Sequence, residues 1–169
     1  DPGRLVLPRV SGDPEIYQVP FSYATGQRAE DLRNYHLQSV LFNLRVKKTD
    51  EVNVVYDAFL DQNFCDTLLD MMAKRRKVKG SHGSLQFQPT RMFRHLAGKH
   101  KELESTMSKA EQSNTSIIYE DKLIFKLYRK LEAGINPDYE VSQYLTEKEF
   151  KNTPALAGAV IYSPKAKKQ

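Results

Sequence analysis

The spacing of apolar residues changes period along this chain of 169 residues, and that change constrains the fold more than any single motif does. In residues 39–46 and 52–56 apolar and polar positions partly alternate, with Lys47-Lys48-Thr49-Asp50 between them as a hairpin turn. That is the period of a strand pair. In 61–76 the residues Phe64, Cys65, Leu68, Leu69, Met71 and Met72 recur near i, i+4, i+7 and i+8. This predicts an amphipathic helix, with Asp61 as N-cap and Lys74 to Lys77 at the negative end of its dipole. Residues 115–119 and 123–128 return to strand texture around a tight Glu120-Asp121-Lys122 turn. Asn136-Pro137 opens a further helix that runs to about 148, with asparagine as N-cap and proline at the first helical position. Residues 156–162 read as a last strand.

Segments of both periods in one chain predict an α+β fold. The first part is an antiparallel sheet packed by the helix near 61–76, and the second is a smaller strand-and-helix unit. Ahead of them, 5–7 and 16–21 are extended around a Ser11-Gly12-Asp13-Pro14 turn, and a charged loop follows at Gly26. Leu85-Gln86-Phe87 offers a short strand and 91–96 one or two helical turns. The polar, weakly helical stretch 99–109 reads as the join. The expected units are therefore 1–105 and 106–169.

Composition excludes several classes. The chain is 40% apolar and 28% charged, ordinary for a soluble protein, and no run of eighteen apolar residues would make a membrane-spanning helix. One cysteine makes no internal disulfide, and four dispersed histidines make no zinc spacing. Asp1-Pro2-Gly3-Arg4 does not begin a secretory leader, so a cytoplasmic location is expected. The charge of +5 suits an anionic partner without requiring one. Basic residues in 74–79 crowd one helix end with no aromatic among them, which favours a solvated terminus over a nucleic-acid surface. There is no Gly-x-x-x-x-Gly-Lys-Ser/Thr, no Gly-x-Gly-x-x-Gly and no Gly-x-Ser-x-Gly. Cys65, on the apolar face of its helix, reads as a buried inert thiol.

One arrangement carries chemistry. Residues 112–140 combine a polar loop, a hairpin with a lysine in its second strand, and a helix with a glutamate in an early turn. Protein-kinase-like enzymes cover phosphates with a hairpin turn, contact them with a strand lysine and hold that lysine by a glutamate on the next helix. Lys126 is the candidate lysine and Glu140 its candidate partner. Gln112-Ser113-Asn114-Thr115-Ser116 would supply hydroxyls, an amide and backbone N–H groups. A lysine on the solvent face of a half-exposed sheet, with a glutamate favoured by the helix dipole alone, would give the same spacing.

The stretches Ala110 through Tyr119, Leu123 through Glu132 and Gly134 through Val141 strongly resemble the maltokinase family, which includes the kinase portion fused behind many bacterial trehalose synthases. The similarity continues through Tyr144-Leu145-Thr146-Glu147 and Pro154-Ala155-Leu156-Ala157-Gly158. It is looser upstream, at Val55-Tyr56-Asp57-Ala58 and Pro89-Thr90-Arg91. The resemblance implies an enzyme that uses ATP and Mg²⁺ to make maltose 1-phosphate from maltose for α-glucan and glycogen synthesis. It also implies that Gln112, Ser113, Asn114, Thr115 and Ser116 form the phosphate-covering loop, that Lys126 contacts nucleotide phosphates and that Glu140 orients it. Residues 1–105 correspond to an N-terminal cap subdomain and 106–169 to the start of a protein-kinase-like N-lobe. The catalytic aspartate and the Mg²⁺ ligands belong to a C-terminal lobe that would follow. The chain is thus expected to be an inactive fragment that binds no cofactor tightly. Its partners would be the missing lobe, maltose and trehalose synthase, with no nucleic acid and no membrane. An alternative is a non-catalytic docking or regulatory module linking the kinase to trehalose synthase.

Overall fold

The computed structural model describes residues 4–7, 15–46, 51–98, 103–108 and 114–165. The chain is mixed α+β, with four helices and four small antiparallel sheets among these residues. The strands are β1 (Arg4–Leu7), β2 (Glu15–Gln18), β3 (Phe21–Ala24), β4 (Val40–Arg45), β5 (Val52–Asp57), β6 (Lys77–Lys79), β7 (Gly83–Pro89), β8 (Ser105–Ser108), β9 (Asn114–Tyr119), β10 (Leu123–Tyr128), β11 (Lys130–Leu131) and β12 (Gly158–Pro164). The helices are α1 (Gly26–Tyr35), α2 (Gln62–Ala73), α3 (Arg91–Ala97) and α4 (Pro137–Glu147). No helix among the described residues is long and apolar enough to cross a membrane.

The sheets run in the orders β1-β2-β11, β3-β5-β4, β12-β7-β6 and β10-β9-β8. The extended stretch expected over 16–21 divides at Val19-Pro20. Pro20 has no N–H to give a ladder, and its carbonyl accepts instead from the Ala58 N–H at 3.2 Å. The segment before the break pairs with β1 and the segment after it with β5.

Two cores follow. One face of β3-β5-β4 is closed by α1: Ala24, Val54 and Tyr56 are buried against Ala29 and Leu32. This corrects two expectations, since the charged segment after Gly26 is a helix and not a loop, and the helix covering this sheet is α1 and not α2. With only Ala29 and Leu32 buried, α1 has an apolar stripe too narrow for its period to stand out from the sequence. The larger core is built by α2, whose Cys65, Leu69 and Met72 pack with Phe87, Phe93, Ile117, Tyr119 and Leu127. Burying side chains of this kind stabilises by roughly 1.5–3 kcal/mol each. Gly158 lets β12 approach: a Cβ there would meet the Gln88 carbonyl oxygen at 2.9 Å and Met72 Sδ at 2.8 Å.

Two further segments differ from expectation. Within 99–109, Ser105–Ser108 is a strand, paired with β9. The basic run after α2 turns at Arg75, whose φ is 52°, and continues as β6 on the edge of β7. The turns expected at 11–14 and 47–50 lie outside the described residues. Residue 105 is not a seam in the pairing, because β12 is laddered to β7 and β11 to β2.

Candidate functional site

The β9–β10 hairpin forms where the sequence places it. Leu123 is paired with Tyr119 and Tyr128 with Asn114, and the Lys122 N–H closes the turn on the Tyr119 carbonyl at 3.2 Å. Alternation along β10 sends Leu123, Phe125 and Leu127 to the larger core. Ile124, Lys126 and Tyr128 therefore share the opposite face. Across the ladder from Lys126 lies Ser116, and across from Ile124 lies Ile118.

Lys126 is not buried. Its side chain keeps 37% of its exposure, and its ammonium meets Asp138 Oδ2 at 3.3 Å. It also sits 5.3 Å from the centre of the Tyr128 ring, within the reach of cation–π attraction. The Tyr128 hydroxyl donates to the same Asp138 oxygen at 2.8 Å. Those contacts, the Tyr128 bond first and Lys126 second, hold the Asp138 carboxyl below the usual carboxylate range.

Asp138 is placed by the start of α4. Asn136 Oδ1 accepts from the Asp138 N–H at 2.9 Å and the Tyr139 N–H at 3.3 Å, so the expected cap is present. Glu140, the partner expected from the sequence, is exposed and is not the residue that meets Lys126. The reason is helical geometry: two positions on an α-helix differ by about 200° around the axis, so Asp138 and Glu140 cannot both face the hairpin.

Of the residues expected to cover a phosphate, Gln112 and Ser113 lie outside the described residues. Asn114, Thr115 and Ser116 are the first half of β9, with their backbone in the ladder and not in a free loop. Thr115 is buried, and its Oγ1 accepts from Arg129 Nε at 2.9 Å. Ser116 is buried on the Lys126 face.

Sequence reasoning missed Asp138, Tyr128 and Arg129. Tyr128 was detectable from period two, since it lies two positions from Lys126. Asp138 carried no such signal, because an acidic residue in a first helical turn is favoured by the dipole wherever the helix sits. Two clefts are not lined by Lys126: an apolar crevice of ≈ 60 Å³ lined by Leu68, Met72, Phe93 and, on β10 itself, Leu123, Ile124 and Phe125, and a cleft of ≈ 220 Å³ beside Glu30, Arg33 and Asn53. Lys126 stands on an open sheet face. No protein-family model matches the chain.

Proposed function

We propose that this chain is the N-terminal part of a cytoplasmic, ATP-dependent maltokinase, which transfers a phosphoryl group from ATP to the anomeric hydroxyl of maltose. The reading rests on the resemblance over 110–158 together with one observation. A strand lysine on an open face is held by a carboxylate on the helix that follows its hairpin.

In this reading Lys126 supplies a point charge to the nucleotide phosphates. An ammonium has three donors, and the Asp138 contact uses one of them. Holding the lysine from the helix reduces the freedom it would lose on meeting the ligand. Ser116, across the ladder, places a hydroxyl on the same face. Bound Mg²⁺ supplies charge neutralisation across the phosphates in such enzymes. The described residues fit the phosphate contact only. Among them no group of three or more His, Cys, Asp or Glu is placed to hold a metal, and the proton acceptor and metal ligands belong to the lobe that would follow.

The test is Lys126→Ala in the full-length enzyme. We expect kcat/KM for ATP to fall by about tenfold or more, the scale of one charge-assisted contact. Turnover of maltose with ATP at the wild-type level refutes the reading.

A second reading makes residues 1–105 a docking module for trehalose synthase. It is favoured by the face of β3-β5-β4 opposite α1, where Phe21, Tyr23, Phe42 and Leu44 are exposed together. Clustered exposed apolar side chains mark interaction surfaces.

A further inference from the structure

The basic run that follows α2 becomes the edge of a sheet. The chain reverses at Arg75, and residues 77–79 form β6, the outer strand of β12-β7-β6. The Arg76 carbonyl accepts from the Phe87 N–H at 2.9 Å, and the Gly80 N–H donates to the Gly83 carbonyl at 2.8 Å. Both groups thus face β7, and along an antiparallel ladder this direction alternates from residue to residue. Val78 therefore bonds to β7, while Lys77 and Lys79 direct their N–H and C=O groups away from it, where no described strand pairs with them. The side chains alternate as well. Val78 lies opposite Leu85, which packs on the larger core, so Lys77 and Lys79 share the other face with Gln86 and Ser84. The charge of this edge is uncompensated. Lys74 is paired with Asp70 at 2.7 Å, but among the described residues Arg75, Arg76, Lys77 and Lys79 make no ion pair, and all four are exposed. Lys165, whose N–H donates to the His82 carbonyl at 2.7 Å, brings another exposed basic residue to the β6–β7 turn.

We propose that β6 is a docking edge for an extended acidic segment of polypeptide, which adds as a fourth strand to the three of this sheet. The open ladder selects a peptide backbone, because outward N–H and C=O groups at Lys77 and Lys79 are matched in kind and spacing by another strand. The phosphodiester groups of a nucleic acid accept hydrogen bonds but donate none, so they leave those carbonyls unmatched. The charge selects the sign of the partner. Carboxylates at every second residue of the incoming strand fall on the face that carries Lys77 and Lys79, as cross-strand pairs of opposite charge. A second copy of β6 is disfavoured by the same rule, since it would set lysine beside lysine, and lysine on an edge blocks self-pairing. The proposal stands apart from the kinase reading and uses none of its residues.

The probe is a short, fluorescein-labelled peptide of alternating glutamate and threonine, titrated with the full-length protein and followed by anisotropy. Saturable binding is expected. Lys77→Glu combined with Lys79→Glu should weaken it about tenfold or more, the scale of two exposed ion pairs lost. The melting temperature should stay within a few degrees of wild type, because both side chains are exposed. An N-methylated form of the same peptide keeps its charge and loses its backbone donors, and it should bind about tenfold more weakly than the parent peptide. No binding at millimolar protein overturns the proposal, as does an N-methylated peptide that binds as tightly as its parent, which would leave a charged patch without an open ladder. Wild-type affinity in the double lysine variant overturns it as well. An oligothymidylate of the same charge that binds more tightly than the peptide would make the patch a nucleic-acid surface, and the proposal would fall. None of these outcomes bears on Lys126, so the kinase reading stands or falls separately.

Discussion

Cys65 shows at the residue scale how position settles reactivity. Its spacing with Phe64, Leu68, Leu69 and Met72 already puts it on the apolar face of α2, and in the fold it is fully buried, with Sγ 3.6 Å from the Phe59 carbonyl oxygen. Burial pushes its thiol above the ordinary range, so the nucleophilic thiolate is scarce near neutral pH. In native protein at pH 7–8 an Ellman titration of this chain should return almost no fast-reacting thiol, and one thiol after unfolding in guanidinium. Rapid reaction of the folded protein would show that α2 opens readily or packs otherwise. Tyr119 lies over the same site: its hydroxyl donates to the Cys65 carbonyl at 2.9 Å, and desolvation drives its phenol pKa upward. Both groups are therefore held neutral as parts of a core.

At the scale of elements, the residue that joins the sheets is Arg129, directly after β10. Its carbonyl accepts from the Gln18 N–H at 2.8 Å and its Nε donates to Thr115 at 2.9 Å. Its Nη2 pairs with Asp57, at the end of β5, and Asp57 in turn accepts from the Phe59 N–H at 3.1 Å. One guanidinium thus ties the sheet under α1 to the hairpin that carries Lys126. Removing one partner of a largely buried pair leaves the other charge uncompensated, which costs more than the pair contributes. Arg129→Ala should lower the unfolding free energy by about 3 kcal/mol in a urea titration. A loss below about 1 kcal/mol, the scale of an exposed pair, would mean that water already satisfies Asp57. The elements also divide by how legible they were. The β9–β10 hairpin and α4 were readable because their signals are local: alternation, a three-residue turn, and an asparagine cap before proline. The helix α1 and the strand β8 were not, since α1 buries only Ala29 and Leu32 and β8 consists of the mostly polar Ser105-Thr106-Met107-Ser108. The pairing of β8 with β9 makes it a strand.

On the scale of the whole molecule, the ladders cross the boundary drawn near residue 105. A chain cut there would strip β7 from β12 and β2 from β11, and would remove Phe87 and Phe93 from the core that holds Ile117 and Tyr119. Deleting residues 1–105 therefore removes structure as well as any docking surface. Substitution on the exposed face separates the two. Tyr23→Asp with Phe42→Asp, in β3 and β4, faces solvent opposite the α1 core. In the full-length kinase these changes should weaken co-purification with trehalose synthase by tenfold or more, while the melting temperature stays within a few degrees of wild type. Undiminished association with an intact fold would remove the docking reading.

The residue order alone determined the mixture of strand and helix, the hairpin at 114–128, the cap at Asn136 and the burial of Cys65, because each depends on neighbours a few positions away. Which strand pairs with which, which helix covers which sheet and which carboxylate meets Lys126 were decided only in three dimensions. The reason is geometric. A period shows that one face of an element is apolar, but the partner for that face is chosen by competition among all such faces in the chain. Lys126 illustrates it within a single turn of helix: Asp138 and Glu140 both carry carboxylates and lie two residues apart, and the rotation of α4 about its axis selects between them.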